Sequence, residues 1–191
     1  MGVILMREVL QVLRDGQFHS GEALGVVLGV SRAAVWKRLE HLEAELGLEM
    51  HRVRGRGYKL ASPLSLLEPE AIVAACRAQG WEAQILDSVD STNAEVLRCL
   101  AAGAPAPFLV LAERQDSGRG RRGRQWVSPF AENLYYSLGL RLEGGVFSLD
   151  GLSLSVGLAV LRCLREQGVV EAGLKWPNDL LVAGRKIAGV L

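Results

Sequence analysis

The sequence is short of the residues that build covalent or metal scaffolds. It holds three cysteines and three histidines in 191 residues, and Cys76, Cys99 and Cys163 lie far apart in apolar, helix-like stretches. With no CxxC and no Cys/His cluster, neither a zinc site nor a disulfide framework is expected, and no resident metal ligands are expected. Buried free thiols in a reducing cytoplasm are expected instead. No apolar run approaches the length of a membrane span. The first 20 residues lack a charged segment followed by an apolar stretch and a small-residue cleavage site. A cytoplasmic protein without membrane partners is therefore expected. The formal net charge is only +1, which excludes a polycationic chain, so any nucleic-acid contact must come from a local basic surface. What is present is ample core material, at 49% hydrophobic and 23% charged residues, in a length that suits one large domain or two small ones.

The first 60 residues carry a helical pattern broken by glycines. Leu5, Val9, Val12 and Leu13 recur at helical spacing over 3–14, and Gly16 stops the run. Ser20 can cap a second helix with Ala23, Leu24, Val27 and Leu28 on one face. Gly29 then turns the chain, and Ser31 caps a third helix with Val35, Leu39, Leu42 and Leu46 inward. Strand-prone residues at 49–53 and 58–60 flank Arg54-Gly55-Arg56-Gly57, which predicts a hairpin. Gly25, Gly29 and Val35 meet the steric demands of a helix-turn-helix: a small residue at the crossing, a positive-φ residue in the turn, and an apolar lock. Short side chains at Ser31, Ala33 and Ala34 let the third helix approach base edges, with Arg32, Lys37 and Arg38 in reach of phosphates or bases. Arg54 and Arg56 charge the hairpin tip, which suits the DNA backbone or minor groove. A winged helix used for protein contacts, with these charges solvated, is the alternative. Trp36 can serve packing or base contact.

Ala61-Ser62-Pro63 breaks the pattern, dividing a winged-helix domain at 1–62 from a second domain at 63–191. The second part alternates helices (68–79, 91–102, 152–167) with strands (within 81–89, then 108–113, 134–140, 174–176, 180–182 and 186–191). Thr92-Asn93-Ala94-Glu95 reads as a capping box. Three segments there carry polar chemistry. Asp90-Ser91-Thr92-Asn93 sets hydroxyls and an amide at a helix N-terminus, suited to a polar ligand and equally to plain capping. Residues 115–126, Gln-Asp-Ser-Gly-Arg-Gly-Arg-Arg-Gly-Arg-Gln-Trp, form a flexible, anion-seeking loop. With no Gly-Lys-Ser/Thr ending, it is not a Walker A loop, although an RG-type nucleic-acid loop remains open. Its Trp126 can stack on a purine or close the core. Lys175-Trp176-Pro177-Asn178-Asp179 puts a lysine at a strand end, suited to charge building on a phosphate or to a sheet-edge ion pair.

Taken together, in this order and spacing, these segments resemble the biotin–protein ligases. The leading helix-turn-helix resembles the subset that doubles as biotin-operon repressor. The resemblance implies an α+β chain, a winged helix followed by a mixed α/β, class II synthetase-like catalytic domain. It implies ATP-dependent formation of biotinyl-5'-AMP and transfer of biotin to a lysine of a biotin carboxyl carrier protein. Biotin and ATP are then the substrates, Mg²⁺ accompanies the nucleotide, and operator DNA and a ligand-promoted homodimer are the further partners. Ser91, Thr92, Asn93, Gln115 and Arg119 match biotin-pocket positions. Gly118, Gly120 and Arg121 match the loop over biotin and its adenylate, and Trp126 the tryptophan near adenine. Lys175 matches the lysine on the carboxylate and phosphate side, and Asn178 and Asp179 match positions near nucleotide and metal. Lys175 and Arg121 are the expected catalytic residues. GRGRRGR and KWPND favour biotin over lipoate. Family members continue past the 186–191 strand, so the second domain is expected to be incomplete and this chain a fragment. A biotin-responsive regulator without catalysis is the alternative reading.

Overall fold

A computed structural model describes the backbone of residues 2–142 and 151–191, and side chains from Arg7 onward within those ranges. Helix α1 spans Gly2–Leu13, α2 Gly21–Leu28 and α3 Arg32–Leu46. Ser20 Oγ accepts from Ala23 N, and Ser31 Oγ from Ala34 N, so both expected caps form. Strands β1 (Met50–Val53) and β2 (Gly57–Leu60) pair antiparallel as the expected hairpin, and His19 adds an antiparallel bridge to Tyr58. Gly29 sits at φ 60° in the turn, and a Cβ on Gly25 would meet Val30 O at 2.7 Å. Only glycine lets α2 and the turn approach so closely. Val35, fully buried, locks the pair.

This module's core is Val9, Leu10, Leu13, Leu24, Leu28, Val35, Leu39, Leu42, Met50 and Leu60, joined by Leu66 and Phe130 from the later chain. Leu46 packs partly against it. The expected Leu5 contact falls outside the described side chains. Of the apolar residues expected on α2, Leu24 and Leu28 are buried, but Ala23 is exposed and Val27 is 51% exposed, because the inward face is completed by Gly21 and Gly25. Trp36 is likewise exposed rather than packed.

By their contacts the residues form two compact units, Met1–Arg119 with Gln125–Gly139, and Gly120–Arg124 with Leu140–Leu191. In the first, α4 (Pro69–Ala78) precedes β3 (Glu82–Leu86), α5 (Thr92–Ala101), β4 (Phe108–Ala112) and β5 (Tyr135–Gly139). β4 is central, parallel to β3 and antiparallel to β5. Its Val110, Leu111 and Ala112 are buried, as a two-faced central strand requires. In the second unit, α6 (Leu152–Glu166) packs on an antiparallel meander of β6 (Gly173–Lys175), β7 (Asp179–Val182) and β8 (Arg185–Gly189). The core there is Leu161, Ala172 and Leu180. All three cysteines are free, but only Cys76 is buried. Cys163 is exposed, since it lies on the outer face of α6. No helix among the described residues is long and apolar enough to cross a membrane.

Candidate ligand and DNA sites

Beyond β3 and β4 the chain stays extended, and Val89 and Gln115 form a parallel bridge just before α5 begins. Val89 N donates to Arg114 O, Asp116 N to Val89 O, and Ser117 N to Asp90 O. This ladder delivers Gln115 to the N-terminus of α5. Gln115 Oε1 accepts from Thr92 N at 2.9 Å and from Thr92 Oγ1 at 3.0 Å, while its Nε2 donates to Ser128 Oγ at 3.1 Å. Thr92 Oγ1 also meets Ser137 Oγ at 2.9 Å, and Ser128 Oγ donates to Trp126 O. Ser91 and Thr92 are buried and Asn93 half-buried. The capping box does not form. Ser91 is the N-cap without a side-chain cap bond, Thr92 begins the helix and turns to Gln115, and Glu95 pairs with Arg98 instead. Ser128 and Ser137 were not singled out by sequence reading, since lone serines outside any motif give no signal.

Asp90 fixes the approach to this hub. It accepts from Ser91 N and holds Arg98 at 2.7 and 3.0 Å, and those bonds pull its carboxyl down to about 2. Gly118 is buried so tightly that a Cβ would meet Trp126 O at 2.5 Å and Ser128 Oγ at 2.7 Å. The returning strand is pinned there by Trp126 N donating to Gly118 O. Trp126 is half-buried and Arg119 exposed.

In the second unit, a 3-10 turn over Arg121–Gly123 presents Arg121 and Arg122 to solvent. It is closed by Gly120 N on Arg124 O at 2.7 Å. Lys175 ends β6, exposed, opposite Asp179 across the sheet. The Asp179 carboxylate is committed to Lys186 at 2.7 Å rather than to Lys175. Asn178 Nδ2 donates to Val190 O, and Val190 N to Asn178 O, which fixes the turn before β7. Lys186 escaped the sequence reading because it stands outside the KWPND run. Among the described residues no group of three or more His, Cys, Asp or Glu is arranged to hold a metal.

On the winged helix, Arg32 and Lys37 are exposed along α3, and the Ser31 hydroxyl is engaged in capping. Arg38 is half-buried, with Nη1 enclosed and unbonded within the protein. Arg54 is exposed at the hairpin tip, whereas the Arg56 guanidinium lies 4.1 Å from the Phe18 ring centroid and Lys59 Nζ 5.6 Å from it. Arg52 is neutralised by both carboxylate oxygens of Glu43. Phe18 was missed because nothing in sequence joins it to the hairpin. The His19–Tyr58 bridge does so in space.

The model of the biotin/lipoate A/B protein ligase family matches residues 85–191, more than half of the sequence. The chain belongs to that family. An HTH-domain model matches residues 6–59. The chain is 41% identical over 184 residues to the bifunctional ligase/repressor BirA of Escherichia coli, covering 96% of this chain and 56% of that protein. It is 33% identical over 177 residues to BirA of Bacillus subtilis, covering 92% and 54%. It thus spans little more than half the length of these relatives. The solved biotin protein ligase of Leishmania major, in complex with biotin, matches with 32% identity and a TM-score of 0.49 over 57% of this chain and 50% of that one.

Proposed function

We propose that this chain is the winged-helix and leading catalytic part of an ATP-dependent biotin–protein ligase that is also a DNA-binding biotin-operon repressor. The observation that carries the reading is the 41% identity to a bifunctional ligase/repressor over 96% of the chain, through both matched regions. The functional division falls at 1–62 and 63–191.

In this reading Ser91, Thr92, Asn93 and Gln115 hold biotin. The Thr92 hydroxyl and the Gln115 amide are already cross-bonded, so the ligand meets two fixed partners rather than side chains that must be ordered on binding. Gly118, Arg119, Gly120 and Trp126 enclose the adenylate. Asn178 and Asp179 serve the nucleotide, with Lys186 compensating the Asp179 charge. In the first step a carboxylate oxygen of biotin attacks the α-phosphorus of ATP, the α–β phosphoanhydride bond breaks, and pyrophosphate leaves with its magnesium. Two anions must approach for this, and Arg121 and Lys175 lower that repulsion. In the second step the neutral amine of an acceptor lysine on a carboxyl carrier protein attacks the acyl carbon. AMP leaves, the amine proton is released, and an amide remains.

Arg32, Lys37, Arg38, Arg54 and Arg56, with Ser31 at the start of the recognition helix, are the DNA-facing residues. One winged helix reads few base pairs, so a ligand-promoted homodimer reading paired half-sites is part of the proposal. The free thiols and the substrates fit a cytoplasmic protein. The chain is tested with labelled biotin, MgATP and a carrier domain. Adenylate formation followed by labelling of the carrier is expected, and binding of biotin without any adenylate would leave only a regulator.

A further inference from the structure

Glu113 is a carboxylate at 2% exposure that the reaction does not use. Burial pushes its carboxyl upward, opposed by the Leu67 N–H and the Arg7 charge. Burying such a group is costly unless something is held by it. Glu113 Oε1 accepts from Leu67 N at 2.7 Å, and Leu67 O accepts from Arg7 Nη2 at 2.7 Å. Arg7 Nη1 then reaches Asp87 at 2.7 Å. Glu113 N donates to Leu86 O, beside Asp87, which closes the path into a ring. The Leu67 peptide is thus clamped between opposite charges, one from α1 and one from the end of β4.

Both arms of the ring lead directly into the polar hub. Two residues beyond Asp87 and two beyond Glu113, the chains meet as the Val89–Gln115 bridge. Further ties run from the same segments to the winged helix. Arg114 Nη1 donates to Glu45 O in the last turn of α3, where a helix carbonyl lacks an internal partner. Phe130, two residues past Ser128, is buried in the winged-helix core, and Ala131 N donates to Glu113 O.

We propose that Glu113 is a positioning residue through which the winged helix and the Leu67 peptide hold the Thr92–Gln115 hub in place. The DNA-binding module is then part of the support of the ligand site. The inference rests on the reading of Thr92 and Gln115 as ligand residues only for its consequence in binding; the mechanical link is tested without ligand.

Residue-resolved hydrogen exchange on the whole chain compares wild type with Glu113→Ala, Glu113→Gln and Arg7→Met. The amides of Thr92, Asp116 and Ser117 are expected to exchange about tenfold faster in Glu113→Ala and Arg7→Met, while Val35 and Leu39 keep wild-type protection. Glu113→Gln, which keeps an oxygen for Leu67 N, is expected to recover most of the protection. Unchanged protection of the hub amides in Arg7→Met and Glu113→Ala overturns the proposal. So does an equal rise at Val35 and Thr92, which marks general destabilisation. Should Glu113→Ala not fold, Arg7→Met and Glu113→Gln carry the same comparison. Biotin titration run alongside separates the two readings: if wild type binds no biotin, the proposed function falls and the exchange data still decide the positioning role.

Discussion

Thr92 gives both its backbone N–H and its hydroxyl to a single oxygen, Gln115 Oε1, at 2.9 and 3.0 Å. One acceptor therefore fixes the first turn of α5 and the rotamer of the residue that begins it. Replacing Gln115 by Leu leaves the hydroxyl with Ser137, but orphans the buried Thr92 N–H. A loss of about 1–3 kcal/mol in urea unfolding is expected, together with weakened biotin binding in calorimetry. Gln115→Glu keeps the acceptor and should lose less. Equal losses in the two variants would mean that the amide donor to Ser128, not the shared oxygen, holds the hub.

Arg121→Gly should leave the fold intact, because the turn is closed by the Gly120 and Arg124 backbones and the Arg121 side chain is exposed. An arginine on an anion contributes about 1.5–3 kcal/mol, so biotinyl-adenylate should escape roughly ten- to a hundredfold faster. Rapid filtration of a pre-loaded complex measures this. Unchanged retention would show that Arg121 does not meet the adenylate.

Lys175→Ala should slow adenylate formation far more than it weakens biotin binding, because the lysine charge matters most once phosphate is present. The carboxylate opposite it pairs with Lys186, so removing Lys175 strands no buried anion. Calorimetry with biotin alone, set beside single-turnover adenylation, separates the effects. Equal loss in both would make Lys175 a simple biotin contact.

Element types were legible because the glycines and serines at the boundaries have local jobs: Ser20 and Ser31 cap, and Gly29 turns. The failures share one cause. Thr92 leaves its capping role for Gln115, 23 positions away. Val27 is exposed because two glycines, Gly21 and Gly25, take places on the buried face of α2 that an apolar pattern does not mark. Glu113, Phe18 and Ser128 act through partners distant in sequence, and periodicity carries no information about such partners. Nor was it legible which carboxylate holds which cation, as Asp179 with Lys186 shows.

Asp90 should contribute to the acid limb of stability. Its folded pKa, about 2, lies below the unfolded value of 3.8, so the unfolded chain binds the proton first as pH falls. The contribution is full above the unfolded value and is lost as pH drops from about 4 through about 2. Asp90→Asn should therefore flatten the fall in denaturation midpoint over that window, and leave the slope between pH 5 and 7 unchanged. An identical acid limb in the variant would show that Arg98 holds Asp90 no more strongly folded than unfolded.

Arg54 and Phe18 should affect DNA binding in different ways, and salt tells them apart. Arg54 is exposed at the hairpin tip, where a guanidinium can neutralise a phosphate and release a counterion. Its replacement by Ala should lower affinity and also reduce the slope of log K against log salt by about 0.9 per lost phosphate contact. Phe18 carries no charge. Its ring lies under Arg56 at 4.1 Å and near Lys59 at 5.6 Å, holding their orientation by a cation–π attraction of about 0.5–1 kcal/mol at an exposed site. Phe18→Leu keeps an apolar side chain beside the hairpin but removes that attraction. Affinity should fall about two- to fivefold with the salt slope unchanged, because every cation still reaches the DNA once bound. Fluorescence titration of a duplex over a range of NaCl concentrations gives both numbers. A flattened slope in Phe18→Leu would mean that the ring decides whether Arg56 reaches a phosphate at all, and an unchanged slope in Arg54→Ala would remove the hairpin tip from the DNA-facing surface.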